Sequence, residues 1–110
     1  SQAIRAGDFV FISGQGPLDP ASLEVGGETV AEQTEITLRN LETLARAAGG
    51  TLRDAVKISA FLASIDSFPE FNETYERILD FEPRPARTTT GAELRGILVE
   101  IDAVLYLPGI

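Results

Sequence analysis

An arginine followed closely by hydroxyl side chains is the first group in this sequence that could bind a ligand. Arg87 and Thr89 follow Pro85, which disfavours helix at the preceding residue and favours an extended chain. Because side chains alternate along a strand, Arg87 and Thr89 should point to the same side. A planar guanidinium beside a hydroxyl can bind a carboxylate through two parallel hydrogen bonds. An arginine in this position can equally be solvated or ion-paired.

Two carboxylates and one amide are candidates for acid–base or polar roles. Glu100 and Asp102 interrupt an otherwise apolar run near the end of the sequence. A carboxylate in apolar surroundings can exchange protons near neutral pH, whereas the same residue at a strand edge would simply face water. Asn72 interrupts the apolar face of a helix between Phe71 and Tyr75, and it could also be a solvent-facing amide.

A glycine-rich segment, Ser13-Gly14-Gln15-Gly16-Pro17, follows an apolar strand. Backbone amides exposed through glycines can hold an anion, although these glycines can equally serve only to make a turn. The segment lacks the Gly-Lys-Ser/Thr of a phosphate loop, and no helix begins directly after it. Ser13 and Gly14 are therefore candidates for ligand binding, although their segment matches no specific motif.

The composition restricts the chemistry that the chain can perform. It has 110 residues, enough for one domain spanning residues 1–110, with no cysteine and no histidine. Thiolate nucleophiles, cysteine-based zinc sites and histidine-based triads are therefore excluded. Nine basic against 17 acidic residues give a net charge of −8, which disfavours nonspecific binding to nucleic acid or anionic membranes. The absence of cysteine fits a reducing cytoplasm, where we expect the protein to act.

Hydrophobic periodicity predicts two helices. Thr29-Val30-Ala31-Glu32 has the form of a capping box, and an apolar stripe at helical spacing follows it until Gly49-Gly50. Ser67-Phe68-Pro69-Glu70 predicts a second capping box with proline in the first turn. The stripe of this second helix consists of Phe68, Phe71, Tyr75 and Ile78.

Four strands are predicted around these helices, at residues 9–13, 55–63, 86–90 and 98–107. Two helices would cover one face of a mixed sheet, which is an α+β architecture. The last strand also carries apolar residues on its second face, among them Leu98, Val104 and Tyr106. That face should therefore be covered as well, either by another subunit or by a peripheral loop of the same chain.

Short segments of the chain, taken in order, resemble the Rid family (reactive intermediate deaminases, the YjgF-type proteins). Each segment is short, and their correct order across nearly the whole chain carries the resemblance. The matching segments are Ser1-Gln2-Ala3, Ile12-Ser13-Gly14-Gln15, Pro17, Asp19-Pro20, Gln33-Thr34, Leu38, Asn40-Leu41, Ala48-Gly49, Val56-Lys57, Phe61-Leu62, Phe71-Asn72-Glu73-Thr74-Tyr75, Pro85-Ala86-Arg87 and Val99-Glu100-Ile101-Asp102-Ala103.

This resemblance implies a chorismate-mutase-like α+β fold and a homotrimer with ligand clefts between subunits. The family hydrolyses reactive enamines and imines, such as 2-aminoacrylate, 2-iminopropanoate and 2-iminobutanoate, to 2-oxo acids and ammonia. No metal or cofactor is expected. The expected partners are further copies of the chain and small imino or 2-oxo acids, with no nucleic acid and no membrane.

The resemblance also implies roles for individual residues. Arg87 matches the family arginine that binds the substrate carboxylate, and Glu100 matches the glutamate that positions or activates water. Ser13 and Gly14 match the lip of the cleft, and Asn72 matches a polar wall residue.

Two departures from the family pattern bear on activity. Thr89 stands where the best-known deaminases often have cysteine, and the family's Gly-Pro-Tyr normally precedes the segment that here begins at Ser1. A threonine can still donate a hydrogen bond and shape the pocket, and the presence of Arg87 favours deaminase activity. One alternative is a trimeric or chaperone-like module that binds small carboxylates without turnover. An endoribonuclease or translation inhibitor using Arg84, Arg87 and Arg95 is disfavoured by the net charge and the lack of histidine.

Overall fold

The computed structural model describes residues 1–109. Within them the elements are β1 (Ala3–Ala6), β2 (Phe9–Gln15), α1 (Val30–Ala47), β3 (Ala55–Leu62), α2 (Phe68–Ile78), β4 (Ala86–Gly91) and β5 (Val99–Tyr106). Single turns of 3-10 helix at Leu52–Asp54 and Ile65–Ser67 lead into β3 and α2.

The strands form one mixed sheet in the order β1-β2-β5-β3-β4. All neighbours are antiparallel except β3 and β4, which are parallel. The sequence did not predict β1, because four residues are too few to show a period. It forms because Gly7, at φ 61°, allows the tight turn that folds β1 back onto β2.

Both helices lie against one face of the sheet, so the predicted α+β architecture is confirmed. Val10 and Ile12 of β2 and Ile58 of β3 are buried on this face, which α1 and α2 cover with residues such as Leu41 and Phe71. The alternation predicted for β5 is also confirmed: Val99, Ile101, Ala103 and Leu105 are all buried.

The other face of the sheet, here called the open face, carries Phe9, Phe11, Glu100, Val104 and Tyr106. No part of residues 1–109 covers it, since Phe9, Phe11 and Tyr106 remain 41%, 48% and 44% exposed. The peripheral loop considered as a cover for this face is therefore not found in that part of the chain.

The first predicted capping box is confirmed. Thr29 Oγ1 accepts a hydrogen bond from the Glu32 amide at 3.1 Å. The Glu32 carboxylate accepts from the amides of Glu28 and Thr29 at 2.8 and 3.2 Å. These backbone donors hold the pKa of the Glu32 carboxyl below its usual value.

The second predicted capping box is wrong. Ser67 makes no side-chain cap, and its backbone, at φ −82° and ψ 2°, is not extended as a capping residue requires. The preceding 3-10 turn runs directly into α2 instead. Glu70 Oε2 accepts a hydrogen bond from the amide of Ala31 at 2.9 Å, so this carboxylate caps α1 rather than its own helix.

Candidate functional site

Arg87 lies at the end of a buried row of the sheet. In the strand register, Arg87 on β4 pairs with Ile58 on β3. The same row continues to Ala103 on β5 and Ile12 on β2. Arg87 therefore belongs to the helix-covered face, and because β4 is an edge strand its side chain stays half-buried. Thr89 pairs with Ala60 and shares this face, as the alternation of the sequence predicted.

Three aromatic rings of α2 surround the Arg87 guanidinium. Its Cζ atom lies 4.5 Å from the ring centroid of Tyr75, 5.5 Å from that of Phe68 and 5.6 Å from that of Phe71. We call Phe68, Phe71 and Tyr75 the aromatic cradle. The electron-rich faces of such rings attract a cation, so the guanidinium is held without using a hydrogen bond.

No carboxylate neutralises Arg87 within residues 1–109. The ion pairs in that part of the chain all use other arginines. Arg84, for comparison, donates to the carbonyls of Leu79 at 2.6 Å and Glu76 at 3.3 Å. Arg87 thus keeps its donors free for an anion that is not part of the described chain.

Four buried side-chain oxygen atoms have no hydrogen-bond partner within residues 1–109. Asn72 Oδ1, the Tyr75 hydroxyl and Thr89 Oγ1 lie on α2 and β4, the elements that carry Arg87 and its aromatic cradle, and the fourth is Thr37 Oγ1 on α1. Buried polar atoms in native proteins are rarely left unpaired, so their concentration here is typical of a site that a ligand or water completes. Burial raises the pKa of the Tyr75 hydroxyl despite the opposing positive charges of Arg87 and Arg84, and this hydroxyl therefore remains a neutral donor at physiological pH.

Ser13, Gly14 and Glu100 form a second group on the open face. A Cβ atom at Gly14 would lie only 2.6 Å from Glu100 Oε2, so the absence of a side chain there is what gives the carboxylate its position. The prediction that the chain turns directly after residue 13 is wrong, because β2 continues to Gln15. A β-bulge interrupts the strand after Ile12, and Gln15 then pairs with Ile101. The amide of Ser13 is also not free for an anion, since it donates to Gln2 O at 2.9 Å.

Two amide side chains of α1 fix the segments that flank this second group. Asn40 Nδ2 donates to the carbonyls of Gly16 and Leu18 at 3.0 and 2.8 Å. Gln33 is buried, donates to Gly27 O at 3.2 Å and accepts from the amide of Leu98 at 2.7 Å. The chain leaving β2 and the chain entering β5 are therefore both tied to α1.

The candidate residues thus divide into two half-sites. Arg87 and Thr89 lie on the helix-covered face of β4 and Asn72 lies on α2, which covers that face, whereas Glu100 lies with Gly14 on the open face. The sheet separates the two groups, so a single chain does not bring Arg87 and Glu100 to one ligand.

Comparison with known proteins agrees with this fold. The sequence model of the family described as endoribonuclease L-PSP matches residues 1–107. A RutC family protein of Pyrococcus horikoshii is 36% identical over 108 residues, which are 96% of this chain and 85% of the relative. The chain belongs to the Rid (YjgF/RutC) family.

Other members of the Rid family support this assignment in sequence and in structure. A RutC family protein of Sinorhizobium fredii is 40% identical over 97% of this chain and 86% of its own. RidA from the Antarctic bacterium Psychrobacter sp. PAMC 21119 superimposes with a TM-score of 0.89 at 34% identity, covering 96% of this chain and 86% of that one. A Thermotoga maritima protein named as a candidate endoribonuclease gives 0.90 at 37% identity, covering 99% and 87%.

Sequence reasoning missed the aromatic cradle of this Rid protein. Phe68, Phe71 and Tyr75 were predicted as an ordinary buried stripe, and only their contact with Arg87 on a distant strand shows another role. No cluster of three metal-ligating side chains occurs within residues 1–109. No helix in the same residues is long and apolar enough to cross a membrane.

Proposed function

We propose that this chain is a hydrolytic deaminase of small reactive imines and enamines, converting 2-iminopropanoate, 2-iminobutanoate and 2-aminoacrylate to 2-oxo acids and ammonia. The observation that carries the proposal is the half-buried Arg87 guanidinium, which has no anionic partner among residues 1–109 and is surrounded by the aromatic cradle of α2. Such a group fits the carboxylate that all these substrates share.

The proposal includes a homotrimer with its active sites between subunits. It is supported by the division into two half-sites, because Arg87 and Glu100 can meet only if different copies supply them. It is also supported by the open face, whose exposed Phe9, Phe11 and Tyr106 need a cover. In this assembly Arg87 of one copy faces Glu100 of the next.

The proposed reaction is addition of water to a carbon–nitrogen double bond. Arg87 holds the substrate carboxylate and so orients the imine carbon. 2-Aminoacrylate enters this step after its β-carbon takes up a proton, which gives protonated 2-iminopropanoate. Glu100 accepts a proton from the attacking water and returns it to the nitrogen of the carbinolamine. The carbon–nitrogen bond then breaks as the hydroxyl proton is lost to Glu100, which leaves a 2-oxo acid and ammonia. A protonated imine is already electrophilic, so neither a histidine nor a cysteine nucleophile is needed. Thr89 and Asn72 shape the pocket and hydrogen-bond the bound molecule.

The test generates 2-iminobutanoate and 2-iminopropanoate in place with an amino-acid oxidase and measures competition with semicarbazide trapping, using the full natural chain. We expect the wild type to suppress trapping and Arg87→Ala to lose about 30-fold or more in kcat/KM, since a buried charge contact is removed. Arg53→Ala is the matched control, because Arg53 also lies over an aromatic ring, that of Phe81, at 4.9 Å. Absence of hydrolysis by the wild type would contradict the proposal.

A binding module without turnover is the alternative that the same site could support. It would bind 2-oxobutanoate in an Arg87-dependent manner while leaving semicarbazide trapping unchanged. Endoribonuclease activity, for which some relatives are named, finds less support. Arg84 is held by backbone carbonyls, and the net charge is −8. Binding of RNA that weakens steeply with salt would be its signature.

A further inference from the structure

We propose that Tyr75 is a positioning residue that orients Arg87 through the face of its ring. This inference rests on the proposed function, since it explains how the carboxylate-binding arginine of that site is held. Among the three rings of the aromatic cradle, Tyr75 lies closest to the Arg87 Cζ atom, at 4.5 Å. It is also buried, with 2% of its surface exposed, so its ring is a fixed platform.

A guanidinium has two distinct surfaces, a planar face and an edge of N–H donors. Arginines on proteins are commonly fixed through the edge by carboxylates or carbonyls, and those donors are then occupied. The aromatic cradle contacts Arg87 without any hydrogen bond or ion pair from residues 1–109, so the donor edge stays free. Holding a cation in this way fixes its direction while leaving its complete donor set to the ligand.

The fold makes Tyr75 the member of the cradle that is best suited to this task. Phe71 belongs to the central core, with no exposed surface, and Phe68 is half-buried in the first turn of α2. The Tyr75 ring packs against that of Phe71 in a tilted arrangement, with 5.6 Å between ring centroids, which limits its own movement. The position of the Tyr75 ring on α2 therefore determines where the Arg87 guanidinium on β4 lies.

The first experiment needs no ligand. The N–H resonances of Arg87 in the folded protein should carry the ring-current shift of an aromatic face. We expect this shift to persist in Tyr75→Phe, which keeps the ring, and to fall in Tyr75→Leu to the smaller contribution of the more distant Phe68 and Phe71 rings. Retention of the full wild-type shift in Tyr75→Leu would overturn the inference.

The second experiment measures binding of 2-oxobutanoate by calorimetry and imine hydrolysis for the same variants. Tyr75→Leu should weaken binding by about threefold to thirtyfold and raise KM more than it lowers kcat. Tyr75→Phe, which keeps the ring and loses only the hydroxyl, should weaken binding by a smaller factor than Tyr75→Leu. Phe81→Leu is the matched control, because it removes the ring under Arg53 instead and should leave binding unchanged.

The outcomes separate this inference from the proposed function. Ring-dependent binding of 2-oxobutanoate without hydrolysis would overturn the deaminase and leave the role of Tyr75 intact. Hydrolysis by the wild type, together with unchanged binding and hydrolysis in Tyr75→Leu, would support the deaminase and overturn the role of Tyr75. Equal loss in Tyr75→Phe and Tyr75→Leu would overturn positioning through the ring and assign the effect to the hydroxyl. If the folded wild type binds no 2-oxobutanoate, both the anion site and its positioning are wrong.

Discussion

At the scale of single residues, the contact between Gly14 and Glu100 leads to a specific prediction. A methyl group at Gly14 would lie 2.6 Å from Glu100 Oε2, and the flexible end of the glutamate would swing away to relieve the contact. We expect Gly14→Ala to lower kcat of imine hydrolysis by about 10- to 100-fold, since a small displacement of a catalytic group is costly. The free energy of unfolding should change by less than about 1 kcal/mol.

Gly16→Ala is the control for this variant. Its added methyl would meet the Cδ1 atom of Ile97 at 3.1 Å, which is also the end of a flexible side chain but has no proposed role in the reaction. Steady-state kinetics and denaturant unfolding of both variants give the comparison. Equal activity of Gly14→Ala and the wild type would show that Glu100 needs no fixed position.

The sequence predicts the local part of the site better than its distant contacts. The shared direction of Arg87 and Thr89 follows from strand alternation alone, and the structure confirms it. The contact between Arg87 and Tyr75 depends on the register of β4 against β3 and on where α2 packs against the sheet. Neither can be predicted from the local sequence pattern. For the same reason, the sequence could not indicate that Arg87 and Glu100 lie on opposite faces of the sheet.

At the scale of elements, Glu70 connects the two helices. Its carboxylate accepts a hydrogen bond from the Ala31 amide in the first turn of α1, where helix amides lack internal partners. We expect Glu70→Ala to lower the free energy of unfolding by about 1 kcal/mol, as loss of a capping side chain does. Glu73→Ala on the same helix is the control and should change stability by less than about 0.5 kcal/mol. Equal effects in urea unfolding would show that the contact between helices contributes nothing.

The two predicted capping boxes show why element ends are only partly readable from sequence. Thr29 has the extended backbone of a capping residue, at φ −108° and ψ 161°, and its box forms. Ser67 has the same local pattern, but the chain reaches it through a 3-10 turn that Ser64 already caps by accepting from the Asp66 amide. Ser67 is thereby held in a turn conformation, and Glu70 is left free for α1. The pattern predicts where the helix begins, and the preceding turn decides which residue caps it.

At the scale of the whole molecule, the open face and the half-sites require the same explanation. A chain with a net charge of −8 should repel further copies, yet it exposes Phe9, Phe11 and Tyr106 together on one side of the sheet. Burial of these side chains would favour association. The same association would supply the missing half of each site. The sequence predicted a covered second face from the apolar side chains of β5 without deciding between another subunit and a peripheral loop, and residues 1–109 supply no such loop.

Mixing two inactive variants tests whether neighbouring copies share each site. Arg87→Ala and Glu100→Gln damage different half-sites, so after joint unfolding and refolding some interfaces should combine an intact Arg87 with an intact Glu100. Random assembly around a ring of head-to-tail interfaces restores about a quarter of the wild-type sites. Arg87→Ala mixed with Thr89→Val is the control, because both changes fall in the same half-site and no interface can regain an intact one. If the first mixture stays as inactive as its components while its native mass matches that of the wild-type assembly, each site belongs to a single chain and the proposed arrangement is wrong.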